Sequence, residues 1–200
     1  VSNIIMKSQN PDKYDYGGLF GVNLGTIKNT KVKDVSISVE KSGASNWSMA
    51  GGLAGYNFTG TITNCTATGS VSVSSNGWDI GAGGLVGLNR GGTIRGCKDV
   101  NVAVHVEVIG AVGDTPSEVA AGGFIGSNDG AGTITNCSAI SANISSIVEG
   151  HAVNTSVKNA RGKFAGCVDN NSTLSGNKAD GVPKIGWDKK KSPPGPGDDI

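Results

Sequence analysis

Few side chains in this sequence are of types that do chemistry, and their spacing scatters them. The two histidines, His105 and His151, are isolated from each other. His105 lies in the alternating stretch Val100 to Val108, on the side opposite the valines, and Glu107 shares that side. Both read as outward strand residues. Cleaving a polysaccharide needs two carboxylates at one centre, or carboxylates that hold calcium beside a basic residue. Asp34, Asp79, Asp99, Asp114, Asp129 and Asp169 occupy different registers, and Asp79, Asp114 and Asp129 read as turn residues. The expectation is a segment with no catalytic residue, no cofactor and no metal site, and so not an enzyme.

Three cysteines, Cys65, Cys97 and Cys137, recur at one position of a repeated pattern, with no CxxC spacing for a metal. Stacked strands lie about 4.8 Å apart, whereas a disulfide wants Cβ atoms within about 4.5 Å. Buried free thiols acting as small apolar groups are expected. Cys167 falls outside that register. Four aromatic residues precede successive Gly-Gly pairs: Tyr14 and Tyr16 before Gly17, Trp47 before Gly51 and Trp78 before Gly83. Exposed rings along one edge would suit sugar rings or protein partners. A host glycoprotein or glycan is therefore the expected class of partner, alongside neighbouring domains of the same chain.

What positions these residues is the repeat. Gly17-Gly18-Leu19-Phe20-Gly21-Val22-Asn23 returns as Gly51-Gly52-Leu53-Ala54-Gly55-Tyr56-Asn57, as Gly83 to Asn89 and as Gly122 to Asn128. A degenerate fifth copy starts at Gly162, with spacings of 34, 32, 39 and 40 residues. Each is followed by a Gly-Thr-Ile block (Gly25, Gly60, Gly92, Gly132, and Ser172-Thr173-Leu174), then by a stretch rich in valine and serine. Helix is nearly excluded, because interior glycines cost about 1 kcal/mol each and the β-branched residues alternate with period two. The fold expected is all-β: a parallel β-helix or β-solenoid of about five repeats of 32–40 residues, with three short strands per repeat. Ser42 to Met49, Ile109 to Ala120 and Glu149 to Lys158 read as loops projecting from one edge.

One such unit cannot bury its own apolar face, but stacked units can. Leu19, Leu53, Leu85, Phe124 and Phe164 should form one column, and Ile27, Ile62, Ile94, Ile134 and Leu174 another. Asn23, Asn57, Asn89 and Asn128 should form an amide ladder, and Cys65, Cys97 and Cys137 a thiol column. Outward threonines (Thr61, Thr63, Thr133, Thr135) read as solvated strand face, interrupted by Lys28 and Arg95.

Residues 1–180 read as the solenoid and 181–200 as a closing segment with a Pro/Gly-rich linker or tail. The chain opens in mid-repeat, which reads as a fragment of a longer protein. Glycine is 33 of 200 residues, aromatics are 5%, and the formal net charge is +1. That balance points away from nucleic acid, and no stretch of about 20 apolar residues could span a bilayer. Asn-x-Ser/Thr sequons at Asn57, Asn64 and Asn136 fall inside the stacking blocks, where a glycan would obstruct stacking, so a bacterial origin fits better than a eukaryotic secretory one.

Gly83-Gly84-Leu85-Val86-Gly87-Leu88-Asn89 followed by Gly92-Thr93-Ile94-Arg95-Gly96-Cys97 resembles the GLUG motif, over roughly residues 17 to 177. That motif occurs in bacterial surface proteins, including IgA-specific metalloendopeptidases and filamentous-haemagglutinin-like adhesins. The resemblance implies a non-catalytic, extracellular, secreted or cell-wall-attached repeat module serving as spacer or adhesion segment. A carbohydrate-binding or carbohydrate-active β-helix is the alternative. The peptidase's His-Glu-x-x-His motif is absent from this sequence.

Overall fold

The computed structural model describes residues 4–8, 14–41, 46–109, 118–140, 143–148, 158–180 and 185–186. Among them the chain coils as a parallel β-solenoid with four walls. Sheet A stacks Ile4–Ser8, Lys31–Lys41, Thr66–Ser75, Asn101–Val108, Ile144–Val148 and Ile185–Gly186. Sheet B stacks Asp15–Gly17, Trp47–Gly51, Asp79–Gly83, Glu118–Gly122 and Lys158–Gly162. Sheet C stacks Phe20–Asn23, Ala54–Phe58, Val86–Arg90, Ile125–Asp129 and Ala165–Val168. Sheet D stacks Thr26–Lys28, Thr61–Thr63, Thr93–Arg95, Thr133–Thr135 and Thr173–Ser175. Ser138–Ile140 and Lys178–Asp180 make a short fifth pairing.

The expected three strands per repeat must be corrected to four. The additional strand is sheet B, built from residues that read as the ends of projecting loops: Trp47–Gly51 and Glu118–Gly122 carry residues assigned to two of them. These segments pair because their backbone N–H and C=O groups, buried beside the core, need partners. Residues 42–45, 110–117 and 149–157 of the expected loops lie outside the described residues. Asp79 and Asp129 are likewise strand residues, opening Asp79–Gly83 and closing Ile125–Asp129; Asp114 lies outside the described residues.

The first turn also departs from the sequence blocks by one residue. The Gly-Gly pairs align Gly17 with Gly51, but in sheet B Gly17 faces Ala50 and Asp15 faces Ser48. Register with the blocks is recovered in sheet C, where Phe20 faces Ala54 and Asn23 faces Asn57.

Inside the coil the columns run as residue type dictates. Ile27, Ile62, Ile94, Ile134 and Leu174 are in register in sheet D. Leu53, Leu85 and Phe124 are fully buried, and the Phe124 and Phe164 rings stack with centroids 4.6 Å apart and 7° between planes. Sheet A presents valine and isoleucine inward at alternate positions: Val35, Ile37 and Val39, then Val71 and Val73, then Val102 to Val108. Outside, Thr26, Thr61, Thr93, Thr133 and Thr173 form one in-register column on sheet D.

Glycines set the contact between sheets B and C. A Cβ on Gly87 would lie 2.6 Å from Gly55 O and 2.7 Å from Ala50 N. The two walls therefore touch backbone to backbone, which only glycine permits. At the D-to-A corner, Asn29, Asn64 and Asn136 adopt φ of 54°, 53° and 55°, and Gly96 and Gly176 take the same place at 63° and 64°. Asn and Gly are the residues that tolerate this left-handed turn.

Candidate interaction surface

Two internal ladders and one external cluster carry the residues singled out by the sequence. The amides of Asn23, Asn57, Asn89 and Asn128 join in one direction. Asn23 Nδ2 donates to Asn57 Oδ1 (2.7 Å), Asn57 Nδ2 to Asn89 Oδ1 (2.6 Å) and Asn89 Nδ2 to Asn128 Oδ1 (2.7 Å). Each amide also donates to the glycine carbonyl that opens the next block: Gly60 (3.0 Å), Gly92 (3.0 Å) and Gly132 (3.1 Å). The turn length before Thr-Ile varies by a residue between copies, yet the asparagine reaches the glycine every time. Val168 stands opposite Asn128 in the fifth turn, so the ladder ends there. These amides are structural and sealed from solvent, since Asn57, Asn89 and Asn128 are fully buried.

Cys65, Cys97 and Cys137 are free and buried. The Cys65 backbone N–H donates to Cys97 Sγ at 3.3 Å, and Cys65 and Cys137 thiols each donate at 3.3 Å to a threonine carbonyl, Thr63 and Thr135. Thiol–thiol contact with Cys97, then burial, pushes Cys65 well above the ordinary thiol range. The neighbouring Cys137 thiol pushes Cys97 up to about 12, with burial adding to it. Hydrogen bonding from Cys97 holds Cys137 below the usual value. The Cys65 and Cys97 thiols therefore stay protonated and unreactive at neutral pH. His105 is half-buried on the outer side of sheet A, with Nδ1 2.7 Å from Ser145 Oγ on the next strand. His151 lies outside the described residues.

The external cluster is larger than the sequence indicated. Tyr14 and Tyr16 lie parallel with centroids 6.1 Å apart, and Tyr14 meets Trp47 edge-on at 5.5 Å. Tyr56 touches Tyr16 (5.0 Å) and Trp47 (6.2 Å), and Phe58 touches Tyr56 (5.5 Å). The Arg90 guanidinium lies 5.4 Å over the Trp47 ring, a favourable cation–π geometry. Tyr56 is buried with Met49 and Leu88 as a second apolar cluster, while Tyr14 (53% exposed) and Phe58 (41%) present their rings to solvent. Burial, with the neighbouring Tyr56 and Tyr14, drives the Tyr16 hydroxyl far above its ordinary value; burial raises that of Tyr56.

Tyr14, Tyr16 and Trp47 come from sheet B and its approach, whereas Tyr56, Phe58 and Arg90 come from sheet C. Sequence reasoning missed the second set because Tyr56 and Phe58 flank the ladder residue Asn57 and read as part of the repeat. Their mutual spacing of two, on one strand face, was the available signal. Trp78 is 58% exposed on the following turn, one residue before the strand; Asp79, not Trp78, pairs with Trp47.

Along the same B–C mouth the aromatic residues give way to charge. Trp47, Asp79, Glu118 and Lys158 are in register in sheet B, and Phe58, Arg90 and Asp129 in sheet C. Arg90 Nε lies 3.8 Å from Asp129 Oδ1. Burial raises the Asp129 carboxyl, Arg90 pulls it back, and Asp169, Glu118 and Asp79 push it up again. Acids separated in sequence register thus feel one another across two walls. Among the described residues no three His, Cys, Asp or Glu side chains are placed to hold a metal ion. No helix among them is long and apolar enough to cross a membrane.

A second feature escaped the sequence: Lys41, wholly buried at the A–B corner, with Nζ 2.7 Å from Asp15 Oδ2. The equivalent pair one turn on is Ser75 and Ser48, with hydroxyl oxygens 2.8 Å apart. By register the next is Val108 and Ile80. Lys41 sits at an inward position of its strand, which the alternation of Val35, Ile37 and Val39 implied. Nothing local indicated that Asp15 would meet it.

No curated protein and no solved structure matches the chain. A family model, the GLUG motif, matches residues 48–72 and 117–145. Each match runs from sheet B through sheets C and D into sheet A, one turn of the coil. The chain is a parallel β-solenoid that carries the GLUG motif in two of its turns.

Proposed function

We propose that this chain is a non-catalytic extracellular interaction segment: a stiff solenoid that spaces what is joined to it and offers one aromatic edge for adhesion. The observation that carries the reading is the cluster of Tyr14, Tyr16, Trp47, Tyr56 and Phe58 across two walls. Tyrosine, tryptophan and arginine are the residues in which interface energy concentrates. Mounting Tyr16, Trp47, Tyr56 and Phe58 on paired strands rather than loops lowers the ordering cost of binding. The association of GLUG motifs with bacterial surface proteins supports a secreted or cell-wall location. The test is surface plasmon resonance of the whole chain over immobilised host glycoproteins. Saturable binding supports an adhesive segment, and its absence on every surface leaves the spacer role alone.

A further inference from the structure

We infer that the edge where sheets B and C meet binds an uncharged glycan, with Tyr14 and Phe58 as its stacking faces. This deepens the interaction reading and rests on it. Three features of this edge point to that chemistry.

First, the rings are graded in exposure. Tyr16, Trp47 and Tyr56 support from beneath, while Tyr14 and Phe58 remain open. A pyranose ring offers a flat C–H face, and an aromatic face is its natural complement, apolar over the ring and polar at the tyrosine hydroxyl. Tyr14 meets Trp47 edge-on at 5.5 Å, which braces it in place. Second, hydrogen-bonding groups begin where the rings stop. Arg90 covers Trp47, and Asp129 lies beyond it, with Glu118 and Asp79 close enough to raise its carboxyl. Carboxylate and guanidinium groups beside stacking rings suit a ligand made of hydroxyls, and a site built to pair hydroxyls rejects ligands without them. Third, the sign of the charge selects the glycan. Asp79, Glu118, Asp129 and Asp169 outnumber the two cations along the mouth, Arg90 beside Asp129 and Lys158 in register with Glu118. Sialylated or sulfated chains would meet like charge, which costs affinity through repulsion and desolvation. The rungs rise about 4.8 Å each, so the passage from Phe58 through Arg90 to Asp129 covers about 10 Å, the length of two sugar units.

The experiment is a glycan array carrying uncharged, sialylated and sulfated oligosaccharides, with host glycoproteins and their enzymatically deglycosylated forms beside them. The whole chain is compared with the Tyr14→Ala/Phe58→Ala double variant and with Trp78→Ala. Both truncated rings are exposed, so the double variant keeps the native circular dichroism spectrum. The expected result is binding of uncharged glycans by the native chain, weakened at least ten-fold in the double variant and unchanged in Trp78→Ala. Binding confined to anionic glycans, or retained by the double variant, overturns the inference. Equal binding of glycoproteins before and after deglycosylation also overturns it, while leaving the interaction reading intact. Silence at every spot removes both.

Discussion

Replacing Asn89 with alanine should be among the most damaging single changes to this fold. Asn89 is fully buried and makes three side-chain hydrogen bonds: it accepts from Asn57 Nδ2 (2.6 Å) and donates to Asn128 Oδ1 (2.7 Å) and Gly92 O (3.0 Å). A typical bond contributes about 1 kcal/mol net, and a buried group left unpaired costs about 1–3 kcal/mol. Asn57 Nδ2 retains Gly60 O, and Gly92 O retains the Thr133 N–H. Asn128 Oδ1 loses its amide donor. The sum is about 3 kcal/mol. Asn23, at the end of the ladder, supplies an internal control. It makes one strong ladder bond (2.7 Å) and longer contacts to Gly25 at 3.2 and 3.4 Å. Asn23→Ala also strips the buried Asn57 Oδ1 of its donor but leaves the other ladder bonds in place, so it should cost about 2 kcal/mol, about 1 kcal/mol less than Asn89→Ala. Urea unfolding followed by circular dichroism reads both from the midpoint at constant slope. If Asn89→Ala shifts the midpoint no further than Asn23→Ala, the additional bonds of the inner amide contribute nothing to stability and the reasoning fails.

Gly87→Ala should be strongly destabilising, by about 2 kcal/mol or more, because its Cβ would strike the backbone of Gly55 and Ala50. Gly25→Ala, with nothing within 4 Å of the new Cβ, should be near neutral, and thermal melts of the two variants compare them directly. Lys41→Met should cost about 3–5 kcal/mol by leaving Asp15 buried without its cation, and the double variant Lys41→Met/Asp15→Leu should recover most of that loss in the same urea assay. Stability should fall as pH rises from the ordinary thiol range toward about 12. The folded state holds the Cys97 proton there while the unfolded state releases it, at about 1.4 kcal/mol per pH unit for one group. Cys97→Ala should reduce that slope in alkaline denaturation curves, with the raised Cys65 and Tyr16 still contributing; an unchanged slope would contradict the assignment.

The sequence alone determined whatever depends on one residue repeating at one place in each turn. The Leu19-to-Phe164 and Ile27-to-Leu174 columns, and the registers of Asn23 to Asn128 and of Cys65 to Cys137, were legible because stacking in parallel places each residue on its own equivalent. Period-two alternation then set which side was buried, as at Val71 and Val73. Tertiary structure decided what depends on two different walls meeting. Sheet B was read as loop because Trp47 to Gly51 carries no apolar alternation: its inward residues are Ser48 and Ala50, while Met49 between them is buried on the opposite side against Tyr56 and Leu88. The slip at Gly17 was invisible because it arises in a turn one residue shorter than its successor. The Lys41–Asp15 pair and the union of Tyr14, Tyr16 and Trp47 with Tyr56, Phe58 and Arg90 join positions on different sheets. Their proximity comes from how sharply the coil bends at its corners, A–B for the ion pair and the Gly-Gly turns between B and C for the aromatic cluster, and those angles have no periodic signature in the sequence.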